Sequence, residues 1–198
     1  SEGQIDVAFP TLLFASGTKD VVLRISAEGK VMQIGSPQYE RVVQTPTIAI
    51  RYRSDARLFV ESRYFTEEGA PLGSGPLPPM AEKTTTYRFT WKLQKDFHAL
   101  QNIQVTAVLP KRVEWTGKTW VEDGRLSYDE PTRTVRWELS SMPEAMSQRE
   151  GSFDLALTPS ALDIGRFASL MGETQFQAQD VLTSELIVQG IRSQTTDM

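Results

Sequence analysis

Apolar and polar residues alternate in short runs along this chain. The apolar positions fall at Val21, Leu23 and Ile25; at Ile48, Ile50 and Tyr52; and at Tyr87, Phe89, Trp91 and Leu93. The same period continues through Ile103, Val105, Ala107 and Leu109, through Val135, Trp137 and Leu139, and through Phe153, Leu155 and Leu157. Successive side chains of a strand point to opposite faces, so a period of two predicts half-buried strands, one face toward a core and the other toward water. Breaks between the runs hold Pro110, Gly117, Gly124, Pro131, Pro143, Gly151 and Pro159. Turn residues at intervals of roughly 8–12 positions suit a β-sandwich. The pattern therefore predicts a nearly all-β, antiparallel protein.

Helical signals are sparse. The tract SALDIGRFASLM, 160–171, offers Ser160 as a cap and Leu162, Phe167, Leu170 and Met171 as a shared face, but Gly165 interrupts it. It reads as either a short helical turn or an irregular crossover. SYDEPTRTVRW, 127–137, reads as a hairpin: a strand to Tyr128, a turn over 129–132 with Asp129 accepting backbone N–H groups, and a strand whose Val135 and Trp137 point inward. RYFTEEGAPLGSGPLPP, 63–79, follows an alternating strand from about Leu58 to Phe65 and crosses to a strand beginning near Thr85. Its prolines remove amide donors and no Gly-Lys-Ser/Thr end is present, which opposes a phosphate cradle.

A weak internal repeat sets the expected boundaries. VAFPTLLFASG (7–17) followed by TIAIRYRSDARL (47–58) has the same order as LALTPSALDIG (155–165) followed by ELIVQGIRSQTTDM (185–198). Each pair runs from a strand ending near Pro to a final alternating strand and an Arg-Ser step. On this reading residues 1–56 are the C-terminal half of one module and residues 57–198 a complete one.

Composition narrows the function classes. Hydrophobic residues make up 39% of the 198 and charged residues 23%, enough apolar material for a soluble folded core. Formal net charge is -4 with Lys and Arg scattered singly, which opposes nucleic-acid and anionic-membrane partners. Cysteine is absent, so disulfides, thiolate metal sites and cysteine nucleophiles are excluded. No apolar run reaches the ~18–20 residues of a membrane span. A chain that begins at Ser1 in mid-pattern is expected to be a mature form or a fragment whose anchor lies elsewhere.

Candidate chemistry is thin as well. His98 is the single histidine, in an expected loop; a serine hydrolase would pair it with an elbow Ser, and no G-x-S-x-G occurs. Asp123, Asp129 and Glu130 are close enough in sequence to suggest calcium, but their spacing matches no calcium loop. Trp91 and Trp137 alternate with polar neighbours as core residues do. Trp115 and Trp120 flank Gly117 in an expected turn, so one of them could be exposed and serve a sugar. Asn102 is the single asparagine, with no lysine evidently buried beside it, so a Lys–Asn isopeptide bond is not expected.

Six blocks carry a family resemblance: the 63–79 tract, TTTYRFTWKL, LQNIQVTAVLPKRVEWTG, GRLSYDEPTRTVRWEL, FDLALTPSALDIG and LMGETQFQAQD. Together, from roughly Leu58 to Thr195, they resemble the conserved immunoglobulin-like repeat of multi-repeat bacterial envelope proteins. The most specific marks are YRFTW, VTAVLPKRVEWTG and the Tyr-Asp turn before TRTVRW. One departure is Glu130, which separates Asp129 from Pro131 where the family usually has Pro directly after Asp. The resemblance implies an immunoglobulin-like antiparallel β-sandwich, exported and strung in tandem on an anchored stalk. It implies no catalytic residue, cofactor or metal ligand.

The leading expectation is therefore a non-enzymatic structural or adhesive module at a bacterial surface, in contact with neighbouring repeats of its own chain and with other surface proteins. The alternatives are a carbohydrate- or calcium-binding accessory domain attached to an enzyme, and a subunit that exchanges strands.

Overall fold

The computed structural model describes residues 22–32, 40–51 and 53–197. The chain divides into two units, residues 1–52 and 53–198. In the first unit, β1 (Val22–Ile25), β2 (Glu28–Met32), β3 (Glu40–Gln44) and β4 (Ile48–Arg51) pair as nested partners. The β1–β4 pairing runs from Val22↔Arg51 to Ile25↔Ile48, and the β2–β3 pairing from Glu28↔Gln44 to Met32↔Glu40. The result is one antiparallel ribbon, with residues 26–27 facing 45–47 in a bulge. The Thr45 amide donates to the Ala27 carbonyl at 2.9 Å, and the Ala27 amide to Thr45 Oγ1 at 2.8 Å.

The alternation here predicts a buried face, yet Ile25, Ile48 and Ile50 are exposed. A two-stranded ribbon has no second layer of its own with which to cover a face. Val21, Tyr52 and the 7–17 tract lie outside the described residues.

The second unit contains β5 (Ala56–Arg63), β6 (Thr85–Lys95), β7 (Leu100–Val108), β8 (Val113–Val121), β9 (Arg125–Asp129), β10 (Thr134–Met142) and β11 (Gln148–Leu157). A 3-10 turn (Ala161–Asp163) precedes β12 (Ser169–Met171), β13 (Thr174–Asp180), β14 (Leu186–Ile191) and β15 (Gln194–Thr195). Two antiparallel sheets result, ordered β5-β6-β11-β8 and β14-β13-β7-β10-β9, and β12 pairs with β15.

This is an immunoglobulin-like sandwich. Constant-type domains place their first, second, fifth and fourth strands in one sheet and the third, sixth and seventh in the other. Here β5, β6, β11 and β8 fill the first sheet, and β7, β13 and β14 the second. The β9–β10 hairpin is an insertion between the fourth and fifth strands that widens the second sheet beyond β7.

Alternation explains the core. Every second residue of β6, from Thr85 to Lys95, is buried. Trp91, Trp137, Tyr87, Phe89, Phe153 and Phe176 lie fully inside, with Trp91 edge-on to Phe153 at 4.9 Å. Large aromatic side chains supply much of the area that such a core removes from water.

The Gly/Pro tract lies against the start of β6. Phe65 bridges to Pro71 and Ser74 to Thr86, and the Tyr64 hydroxyl donates to the Gly75 carbonyl at 2.7 Å. A Cβ on Gly73 would sit 2.0 Å from the Thr86 carbonyl oxygen, and one on Gly75 2.2 Å from that of Thr84. These glycines therefore permit close approach to a strand.

The expected helical tract resolves into the 3-10 turn. Ser160 caps it by accepting the Leu162 amide, and Asp163 accepts the Ser160 amide in return. Its apolar residues do not share a face: Leu162 and Phe167 are exposed, while Leu170 and Met171 are buried.

One lateral seam joins the sheets. Gln189 on β14 accepts the Leu58 amide at 2.8 Å and donates to the Leu58 carbonyl at 3.3 Å. Arg53 Nη1 reaches the Leu186 carbonyl at 3.5 Å. Residues 53 to 58 thus run beside 186 to 189 in the same direction. The chain enters this unit at one end of the sandwich and leaves β14 at the other.

Candidate functional site

His98 lies in the loop between β6 and β7, as expected, but it is buried rather than solvated. Its Nδ1 is 2.9 Å from Asp180 Oδ2 at the end of β13. An ionised carboxylate only accepts, so Nδ1 carries the proton. Ser54, just before β5, completes the group: its amide donates to Asp180 Oδ2 at 2.7 Å, and its hydroxyl accepts the His98 amide at 2.8 Å. Asp180 Oδ1 receives the Leu182 and Thr183 amides, both at 2.9 Å.

Serine, histidine and aspartate together invite a hydrolase reading, and the geometry answers it. A catalytic serine presents its hydroxyl to the imidazole nitrogen that aspartate leaves free. Here the Ser54 hydroxyl is engaged by the His98 backbone instead, donating to the His98 carbonyl at 3.3 Å. His98 Nε2 is buried with no hydrogen-bond partner among the described residues. Ser54 and Asp180 are 1% and 0% exposed, so no substrate carbonyl reaches them. The cluster is a latch that ties the first strand to the β6–β7 loop and to β13. Burial would push the Asp180 carboxyl up, but the Ser54 and Thr183 amides and the His98 ring outweigh it and hold it down at about 2. Sequence reading missed this latch, because Ser54 and Asp180 stand 126 residues apart.

The other sequence candidates separate. Asp123 lies in the turn before β9 and Asp129 at the far end of that strand, whose length alone is about 13 Å at ~3.3 Å per residue, so they share no calcium site. Asp123 accepts the Gly124 amide, and Asp129 accepts the Thr132 hydroxyl instead of the expected backbone N–H groups. Among the described residues no group of acids and histidines is arranged to hold a metal ion. Lys95 is buried, its Nζ 3.3 Å from the Glu144 carbonyl, and burial lowers its pKa. Asn102 is exposed on β7 and bonds Gln179 at 3.3 Å.

The tryptophans divide two and two. Trp91 and Trp137 are core residues. Trp115 is half-buried and stacked on Tyr128 at 5.6 Å, whereas Trp120 is 55% exposed. The expected turn between them is a bulge inside β8: Trp115 pairs with Leu155 and Thr119 with Phe153, so residues 116–118 stand opposite Asp154 alone. Gly117, at a φ of 80°, suits a bulge as well as a turn.

No family model matches the sequence, and no curated protein does. Among solved structures, the chain is similar to a D312A form of BcpA, the major pilin subunit of Bacillus cereus, at a TM-score of 0.48 and 11% identity, over 83% of this chain and 50% of that one. It is similar to the RrgA Jo.In complex at 0.36 and 10%, over 64% and 88%. A Danio rerio Fcho1 Mu homology domain with bound Eps15 peptide also matches, at 0.36 and 10%, over 80% and 51%. The chain thus spans about half the length of the pilin subunit.

Proposed function

We propose that this chain is a non-enzymatic structural module of a bacterial surface protein, in which immunoglobulin-like units act in series as spacer and contact surface. The observation that carries the reading is the parallel placement of β5 and β14. Because the chain enters at one end of the sandwich and leaves β14 at the other, successive units add to length instead of folding back. The sequence resemblance to envelope repeats points the same way. So does the use of the unit's single histidine as a buried latch rather than a base.

Two measurements test the proposal. A protein carrying two head-to-tail copies of residues 53–198 should show in small-angle scattering a maximum dimension close to twice that of one copy; collapse to a single compact particle would sink the spacer reading. Antibodies raised against residues 53–198 should label intact cells of the source bacterium. Labelling that requires permeabilised cells would place the protein inside and end the surface assignment.

A further inference from the structure

The solvent face of the β5-β6-β11-β8 sheet has a composition that core packing does not explain. Its rows follow from the register: Arg63, Arg88 and Asp154 in one, Glu61, Thr90, Ser152 and Trp120 in the next, and Phe59, Lys92 and Glu150 in a third. Trp120 ends the middle row with more than half its surface in water, an unusual outlay for so large an apolar side chain. Beside it lies a cavity of about 90 Å³ lined by Arg88, Lys118, Thr119, Trp120, Ser152 and Asp154.

The cavity presents a prepared pair. The Asp154 side chain is only 7% exposed, and Arg88 grips it through Nε at 2.7 Å and Nη2 at 3.1 Å. Arg88 Nη1 makes no hydrogen bond to another described residue, and each carboxylate oxygen keeps an unused lone pair. A donor and an acceptor are thereby fixed side by side next to an indole face.

The geometry points to a binding site for a neutral saccharide on this face. A pyranose ring with equatorial hydroxyls shows an apolar C–H face that stacks on an exposed indole, and its hydroxyls both donate and accept. The cavity holds the volume of about three waters, at ~30 Å³ each. That admits a hydroxymethyl arm or a pair of hydroxyls. Charge argues against a polyanion: Arg63–Glu61 at 3.1 Å, Lys92–Glu150 at 3.6 Å and Arg88–Asp154 at 2.7 Å pair across the face, leaving Lys118 as the one cation lining the cavity with no ion pair among the described residues. A polyanion would find little net field there. Trp120 supplies the stacking surface, and Arg88, Asp154 and Ser152 the hydrogen bonds. The site is independent of the spacer reading, because it lies on the sheet face away from the β5–β14 seam.

The test uses the full chain. It is applied to an array of neutral, sialylated and sulfated glycans, and then titrated in solution with cellopentaose and the N-acetylglucosamine pentamer, following tryptophan fluorescence. Neutral glycans should bind, Trp120→Ala should weaken binding at least about tenfold, and Trp120→Phe should stay within about threefold. Thermal melts of both variants should match the parent, since Trp120 is outside the core. Binding should be unchanged between about 0.05 and 0.5 M salt. Absence of glycan binding, binding that survives Trp120→Ala, or salt-sensitive binding to the acidic glycans alone would each overturn the proposal. So would a Trp120→Ala effect seen only in self-association.

Discussion

Asp180 is fully buried and ionised, held by the Ser54, Leu182 and Thr183 amides and the His98 ring. Its folded pKa of about 2 lies below the ordinary carboxylate value near 3.9, so it contributes stability that is fully present above pH ~4. That contribution, on the order of 2 kcal/mol, is lost as pH falls from about 4 through about 2. Circular-dichroism melts across this window should show a steeper drop for the parent than for Asp180→Asn, which should be less stable at neutral pH. Parallel slopes would refute the assignment. Tyr87 gives the opposite expectation. Burial, then the neighbouring Tyr64, pushes its phenol up to about 12, and its hydroxyl has no partner among the described residues. Removing an orphaned buried hydroxyl costs little, so Tyr87→Phe should be neutral or stabilising by up to about 1 kcal/mol in urea unfolding. A loss above about 1 kcal/mol would mean that the hydroxyl is bonded in solution.

Among the elements, the β5–β14 seam depends on a side chain that imitates a strand. Gln189 supplies the acceptor and donor that a neighbouring backbone would offer to Leu58, so Gln189→Ala removes both bonds at once. The expected cost is about 1–3 kcal/mol, with Leu58 amide exchange at least about tenfold faster by NMR while the β6–β11 ladder keeps its protection. Unchanged exchange at Leu58 would show that the seam is closed by other contacts. The strands were legible in sequence wherever both faces of the pattern were strict: β6, β7, β10 and β11 all lie where alternation placed them. Gly117 was misleading, because one glycine at positive φ serves a turn and a bulge equally. The apolar residues of 160–171 misled differently, since two of them stay exposed and helical spacing cannot tell a buried face from a bare one.

At the scale of the whole molecule, the Ser54 latch predicts that an independent unit includes residue 54. A protein of residues 53–198 should unfold in one cooperative transition. One of residues 57–198 lacks Ser54, leaving Asp180 and His98 buried with fewer partners, and should melt several degrees lower, at ~2–4 °C per kcal/mol for a unit of this size. Equal melting temperatures in calorimetry would show that the latch contributes nothing. None of this could be read from the chain alone, because the sites it joins are adjacent only after the sandwich closes. The candidate site is partly legible: the turn residues of VEWTGKTWVEDG leave open that one of its tryptophans is exposed, but the Arg88–Asp154 pair beside it depends on the β6–β11 register.

The seam between β5 and β14 also fixes how the unit answers tension. Pulled from its two ends, β5 and β14 slide along each other in shear, so the Gln189 pair and the Arg53 contact must yield together instead of opening one after another like a zipper. An assembly of such units would stretch little until a threshold force is reached, then lengthen in discrete steps as single sandwiches give way.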